Sequence, residues 1–226
     1  MLKRRTLKAG PESRFLKRAF DSGLVQDDAH PRLILKELIL PTGIPDAVVF
    51  YHSDIQLDRV PPRRSFSTIH LQIVAHLYDV GSATADELVV SLAIPRVCVE
   101  TILRDLRDAN LLTMRQGTAY RRSLNKVFAA HRIVAIEAKL QDWRKGLMQA
   151  AANFWFASHS YLLVPPLRCL DQILTEARKL GVGVLVFDEN NTRSAARPKQ
   201  IRLPASYGSW LIHEWAMRRF AQGTVA

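Results

Sequence analysis

The sequence predicts an α/β fold in which a mixed β-sheet is flanked by helices and a smaller α+β domain is inserted into the chain. Short apolar runs typical of buried strands alternate with amphipathic helix patterns before residue 60 and again after residue 125. Between these parts lie three helix patterns in quick succession, followed by two short extended pieces. The expected organisation is a basic arm over 1–11, a core formed by 12–60 and 125–226, and an insert over 66–124.

The first part of the core is predicted to form a helix and a hairpin. Apolar residues recur on one face of a helix pattern that follows Gly10 and Pro11. Two strand patterns come next, and Asp46 opens the second of them. A linker rich in proline and arginine then leads to the insert. The predicted elements are a helix over 12–24, strands over 33–40 and 46–52, a turn over 41–43 and the linker over 61–65.

The insert is predicted to contain three helices and a hairpin. Thr84 and Glu87 form a capping-box pattern at the start of the second helix, and Pro95 suits the first turn of the third. The pair Gln116-Gly117 indicates a hairpin turn. Ile69 and Val97 are assigned to the apolar faces of the first and third helices. The predicted elements are helices over 68–80, 84–92 and 95–110, and extended pieces over 111–115 and 118–122.

After the insert the core resumes with alternating strands and helices. The strand over 131–140 carries Glu137 and Lys139 inside an apolar run. A long helix is predicted over 142–159, and an irregular basic segment is predicted over 192–204. The other predicted elements are strands over 160–164 and 182–187, and helices over 167–180 and 206–222.

The charge of the chain favours a polyanionic partner. Lys and Arg total 32 against 21 Asp and Glu, which gives a formal net charge of +11. Nucleic acid is the first candidate and an anionic membrane surface the second, although no basic amphipathic helix favours a membrane. The apolar stretches are too short for a transmembrane helix, and the two cysteines lack metal-ligand spacing, as is typical of a cytoplasmic protein. The absence of a GxxxxGKS loop argues against a nucleotide cofactor.

Two acids and a lysine stand inside apolar strands, where an unpaired charge is costly to bury. Asp46 belongs to one strand, and Glu137 and Lys139 share another. Residues two apart in a strand point to the same face, so the glutamate and the lysine are expected to be neighbours. Two carboxylates beside an ammonium on adjacent strands can hold a divalent cation next to a phosphate and orient a water.

The motif Pro45-Asp46 followed by Glu137-Ala138-Lys139 resembles that of the PD-(D/E)XK nuclease superfamily. The resemblance covers about 12–55 and 125–188 and implies a restriction-endonuclease-like core. The gap of about ninety residues between the two parts of the motif is longer than usual in that superfamily, and the inserted domain accounts for it. The order of elements in the insert resembles a winged helix-turn-helix domain.

The resemblance implies a metal-dependent DNA endonuclease of repair, recombination or defence. Asp46, Glu137 and the carbonyl of Ala138 would hold Mg²⁺ or Mn²⁺, and Lys139 would position the water or stabilise charge on the phosphate. Gln149 matches a helix glutamine of several relatives, and it would orient Lys139 or contact the phosphate. Glu12 and Glu37 are further candidate acids.

DNA contact is assigned to the third helix of the insert and to its hairpin, because in winged helices these elements enter the major groove and touch phosphate. A solvated charged face or a protein-docking surface is the alternative for the insert. For the whole chain, the alternatives are a non-catalytic DNA-binding regulator and a subunit whose cleavage partner is another chain; a homodimer is compatible with each. The residues assigned to DNA contact are Arg96, Arg104, Arg107, Arg115, Arg121 and Arg122.

Overall fold

A computed structural model describes residues 10–24, 31–36, 38–53, 58 and 65–222. The predicted basic arm up to residue 9, the candidate acid Glu37 and linker residues 61–64 lie outside the described residues. The described chain divides into two compact units. One unit comprises residues up to Tyr51 together with His131–Pro204, and the other comprises His52–Ala130 together with the segment from Ala205 onward.

The first unit is built on a mixed six-stranded sheet with helices on both faces, as the sequence predicts. Its strands are β1 (Arg32–Lys36), β2 (Ala47–His52), β6 (Ala130–Ala138), β7 (His159–Val164), β8 (Gly183–Phe187) and β9 (Thr192–Ala196). Its helices are α1 (Pro11–Asp21), α5 (Trp143–Ala152) and α6 (Leu170–Leu180). The strand order is β1-β2-β6-β7-β8-β9; β1–β2 and β8–β9 pair antiparallel, whereas β6–β7 and β7–β8 pair parallel.

Alternation along β6 sends its side chains to opposite faces of the sheet. Val134, Ile136 and Ala138 belong to the apolar layer beneath α1, together with Phe15 and Leu16 of that helix. On the other face, α5 and α6 pack over residues of β7 and β8. Alternation therefore directs Glu137 toward the face that carries α5, although the rest of the strand around it is apolar.

The second unit contains a three-stranded antiparallel sheet with helices packed around it. Its elements are α2 (Thr68–Val80), β3 (Ser82–Thr84), α3 (Ala85–Leu92), α4 (Arg96–Asp108), β4 (Leu112–Arg115), β5 (Thr118–Arg121) and α7 (Tyr207–Ala221). The strand order is β3-β5-β4. Thr84 caps α3 through a capping box with Glu87, and the hairpin turns at Gln116 and Gly117, both with positive φ; both features agree with the sequence prediction.

The structure corrects several predicted elements. The helix expected over 142–159 ends at Ala152, because a short 3₁₀ turn follows and His159 already begins β7. The segment 192–204, expected to be irregular, begins with the edge strand β9, whose polar sequence lacks the apolar run of a buried strand. Ile69 and Val97, expected on buried helix faces, are 39% and 75% exposed.

The last helix, α7, groups with the second unit and not with the core part to which the sequence boundary at residue 125 assigns it. Glu214 is fully buried and accepts hydrogen bonds from the Phe66 N–H at 2.8 Å and from Arg218 Nε at 2.9 Å. Arg218 Nη2 donates to the Phe66 carbonyl at 2.7 Å, and His213 Nε2 accepts from the Ala129 N–H at 3.1 Å. Helix α7 is therefore hydrogen-bonded to both ends of the 66–129 segment.

Replacing Glu214 with alanine should destabilise the second unit by about 1–3 kcal/mol, because the buried Phe66 N–H would lose this acceptor. Urea unfolding followed by circular dichroism measures the change. Glu176→Ala is the matched control, since Glu176 pairs with Lys179 in an exposed ion pair worth well under about 1 kcal/mol. Equal midpoints for the two variants would show that the Glu214 hydrogen bonds contribute little.

Candidate active site

The structure brings the two predicted acids together. Asp46 directly precedes β2, and Glu137 lies near the end of β6, the neighbouring strand. Asp46 Oδ2 accepts a hydrogen bond from the Ala138 N–H at 2.8 Å, which fixes the carboxylate next to the residue that follows Glu137. The long gap in sequence is therefore closed by the pairing of two adjacent strands.

Glu137 is a buried carboxyl group with one open oxygen. Glu137 is only 2% exposed, and its Oε1 accepts a hydrogen bond from Asn153 Nδ2 at 2.8 Å. Oε2 is buried and receives no hydrogen bond from a donor among the described residues. Burial and then the negative charge of Asp46 raise the pKa of Glu137 to about 8, against the opposing effect of the Asn153 hydrogen bond. Such a carboxyl group is stable when it holds a proton or contacts a cation.

Asp46 and Glu137 form a pair that favours one proton or one cation between them. Burial raises the pKa of Asp46, while the Ala138 N–H and the Lys139 charge lower it. Contact with the Glu137 side chain lowers the pKa of Asp46, whereas Asp46 raises that of Glu137, so a single proton in the pair would reside on Glu137. A divalent cation in place of that proton would neutralise the charge of both groups.

Lys139 lies at the edge of the acid pair. Its Nζ is 3.5 Å from Glu12 Oε2 and 3.9 Å from Asp46 Oδ2, and its side chain is 13% exposed. Glu12 stands in the first turn of α1, so the candidate helix acid does join the cluster. A partly buried ammonium beside two carboxylates is placed to contact an anion bound to the same cation.

Gly146 on α5 provides space for the lysine. A Cβ at this position would lie 2.6 Å from Lys139 Cγ and 2.7 Å from Leu162 Cδ1, closer than real Cβ atoms approach such neighbours. Sequence reasoning missed this residue. The signal was an isolated glycine inside a helix pattern, which costs about 1 kcal/mol relative to alanine and usually has a packing reason.

The predicted role of Gln149 in orienting Lys139 stays a prediction. Gln149 is half-buried on α5, its Oε1 has no hydrogen-bond partner among the described residues, and none of their hydrogen bonds joins it to Lys139. Asn153, one turn further along, instead holds Glu137. Sequence reasoning missed Asn153 because it extended the helix through this point and gave no reason to single out the end of α5. A contact of Gln149 with phosphate stays a prediction.

The cluster fits the ligand preference of Mg²⁺. That ion is commonly held by one or two carboxylates and completes its six positions with waters and substrate phosphate oxygens. Asp46 and the open oxygen of Glu137 would supply the carboxylates. Three or more His, Cys, Asp or Glu side chains arranged as a complete metal site are not found within the described ranges. Ala138 belongs to the site through its N–H, and the use of its carbonyl as a ligand stays a prediction.

The arginines predicted to contact DNA differ in the contacts that they make within the protein. Arg96 pairs with Asp86 and Glu100, and Arg107 pairs with Asp108. Arg104 and Arg107 line a surface depression of about 270 Å³ together with Met114 and Gly117 of the hairpin. Arg115 is exposed at the end of β4, Arg121 lies over the Tyr78 ring, and Arg122 donates to the Asn110 carbonyl at 3.2 Å.

Comparison of the chain with protein-family models, with curated proteins and with solved structures finds no match. Within the described residues, no helix is long and apolar enough to cross a membrane.

Proposed function

We propose that this protein is a metal-dependent DNA nuclease of the PD-(D/E)XK type. The observation that carries the proposal is the buried Glu137, which has one oxygen without a hydrogen bond among the described residues and is electrostatically coupled to Asp46 and Lys139. A buried acid and a partly buried acid that repel each other destabilise a fold, so their presence at one point favours a ligand that needs both.

Each residue of the cluster would have a separate role in phosphodiester hydrolysis. Asp46 and Glu137 would hold Mg²⁺ or Mn²⁺, which supplies Lewis-acid chemistry and a more acidic water when bound. Lys139 would stabilise negative charge on the phosphate, and Glu12 would keep the ammonium in place. Asn153 would fix the Glu137 carboxylate, so that its open oxygen keeps one orientation.

The 66–124 segment of the second unit is proposed to be a winged helix that binds DNA. Its three helices α2, α3 and α4 followed by the β4–β5 hairpin, and the exposed arginines on α4 and β4, support this role. The formal net charge of +11 supports a polyanionic partner. Repair, recombination or defence are the proposed settings, and a cytoplasmic location is proposed with them.

Incubating purified protein with plasmid, single-stranded and branched DNA tests the proposal. Cleavage is expected with Mg²⁺ or Mn²⁺ and should disappear with a chelator. DNA binding without cleavage of any of these substrates, in either metal, would instead favour the non-catalytic regulator.

Reversing the charges of Arg104 and Arg107 to glutamate should weaken DNA binding. Each arginine that no longer neutralises a phosphate should also lower the slope of log affinity against log salt by about one unit. Fluorescence anisotropy with labelled duplex at several salt concentrations measures both effects.

The matched control for this charge reversal is Arg178→Glu with Lys179→Glu, two exposed cations on α6. If the control pair weakens binding as much as Arg104 and Arg107 do, the depression between α4 and the hairpin is not a specific DNA surface.

A further inference from the structure

The chain that follows β8 gives the sheet of the first unit a cationic edge. Strand β9 is the last in the strand order, and among the described strands it pairs with β8 alone. The segment from residue 190 to residue 204, which begins just before β9, contains no acidic residue. Its cations are all exposed, and they are Arg193, Arg197, Lys199 and Arg202. The core itself therefore carries positive charge at one edge, outside the insert.

The charge of these four cations is not neutralised by ion pairs. None of them forms a salt bridge with an acid within the ranges that the structure describes. Arg96 and Arg107 of the insert differ, because they pair with Asp86, Glu100 and Asp108. Cations without a paired acid attract a polyanion more strongly than paired ones do.

The acids nearest in sequence to this edge belong to the turn between β8 and β9. Asp188 Oδ1 accepts a hydrogen bond from the Asn191 N–H at 3.2 Å, and Glu189 is exposed. In the described part of the chain, neither carboxylate forms an ion pair with Arg193. The guanidinium of Arg193 is therefore available to a partner outside the chain.

The pairing of the strands places Arg193 at the same edge of the sheet as the acid cluster. The row of paired residues that starts at Ala138 of β6 crosses β7 and β8 and reaches β9 at Ser194. Lys139 and Arg193 each lie one residue beyond this row, toward the carboxyl ends of the parallel strands. In open α/β sheets, ligands bind outside these carboxyl ends.

The separation of Arg193 from the acid cluster corresponds to a short stretch of one DNA strand. Neighbouring strands of a sheet are about 4.8 Å apart, so the steps from β6 to β9 span roughly 14 Å. Each nucleotide of a B-DNA strand advances by about 3.4 Å along the helix axis. A DNA strand that runs along this edge from the acid cluster is therefore level with Arg193 after about four nucleotides.

We propose that the β9 edge, through Arg193 and then Arg197, binds backbone phosphates of the DNA substrate beside the cleavage site. Guanidinium groups suit this role, because they donate two parallel N–H bonds to phosphate oxygens. DNA as the polyanion comes from the proposed function, on which this binding role rests. Cleavage itself is not required, because the edge uses none of the residues of the acid cluster.

Charged side chains on an edge strand also have a protective use, which is to prevent two sheets from pairing edge to edge. That use requires charge of either sign on β9, whereas phosphate binding requires positive charge. Replacing the two arginines with glutamate keeps the edge charged and reverses its sign. The double variant Arg193→Glu with Arg197→Glu therefore separates the two roles.

Fluorescence anisotropy of the full chain with a labelled DNA duplex, in chelator and at several salt concentrations, measures the effect of this double variant. The affinity should fall at least about tenfold, as expected for loss of charge-assisted hydrogen bonds. The slope of log affinity against log salt should fall by about two units, one for each phosphate contact. Light scattering without DNA should give the same mass as for the wild type, since the edge keeps a charge.

The matched control is Arg178→Glu with Lys179→Glu, which changes the net charge equally at the other end of β8. Helix α6, which carries both residues, ends at Leu180, just before β8 begins at Gly183. The control should weaken binding clearly less than the edge variant does. Equal affinities of the two double variants, or no binding of duplex by the wild type, would overturn the edge surface. Edge-dependent binding without cleavage in Mg²⁺ or Mn²⁺ would support the surface and would contradict the nuclease activity alone.

Discussion

Glu137→Gln and Lys139→Ala should each abolish detectable DNA cleavage, with a fall of at least roughly 100- to 1,000-fold in rate. Glutamine keeps the size of Glu137 but removes the charge that would bind the metal, and alanine removes the ammonium that would stabilise the phosphate. DNA affinity should change little, because most of it is expected from dispersed Lys and Arg side chains that meet phosphates. Plasmid nicking and anisotropy, measured on the same preparations, separate the two effects.

Lys145→Ala is the control for Lys139, since Lys145 is an exposed lysine on α5 six residues further along the chain. It should retain cleavage. If Lys139→Ala cleaves as fast as Lys145→Ala, in preparations free of contaminating nuclease, the assignment of Lys139 is wrong.

The stability of the metal-free protein should fall as the pH rises from about 4.5 to about 8. The pKa of Glu137 is raised from 4.5 to about 8 in the folded chain, so within this window the folded state holds a proton that the unfolded state has lost. Stability is therefore fully present below the lower value and is lost as pH rises through the higher one. The loss is on the order of 5 kcal/mol, from the shift of 4.5 to about 8 at about 1.4 kcal/mol for each pH unit.

Glu137→Gln should remove most of this pH dependence, and it should make the metal-free protein more stable than the wild type above pH 8. Adding Mg²⁺ should restore stability to the wild type alone, because the ion replaces the proton in the carboxyl pair. Urea unfolding at pH 6, 7, 8 and 9, with chelator or with Mg²⁺, measures this. If the free energy of unfolding depends on pH in the same way for wild type and variant, ionisation of Glu137 does not destabilise the folded protein.

Local signals in the sequence predicted the elements well. The capping box at Thr84 and the turn at Gln116-Gly117 depend on neighbouring residues only, and both are present in the structure. Predicted faces were less reliable, as the exposure of Val97 shows, because the buried side of a helix depends on what packs against it. Strand β9 has no apolar run, since an edge strand pairs through its backbone and needs none.

The sequence predicted only part of the candidate site, because some of its contacts depend on how the elements pack together. Asp46, Glu137 and Lys139 are recognisable because charged residues inside apolar strands are unusual. Gly146 matters because the Lys139 side chain packs closely against it. Asn153 matters because it donates a hydrogen bond to Glu137. Such approaches depend on the placement of α5 over the sheet, and the spacing of residues in the sequence does not encode that placement.

The proposed function requires that Asp46 and Glu137 hold one divalent cation between them, and this is its central claim. Binding of Mn²⁺ to the wild type and to Glu137→Gln, measured by electron paramagnetic resonance at pH 8 without DNA, tests that claim. We expect one saturable ion for each wild-type chain and at least roughly tenfold weaker binding by the variant, since one of its two carboxylate ligands is lost. Equal Mn²⁺ affinity for the two proteins would contradict the claim.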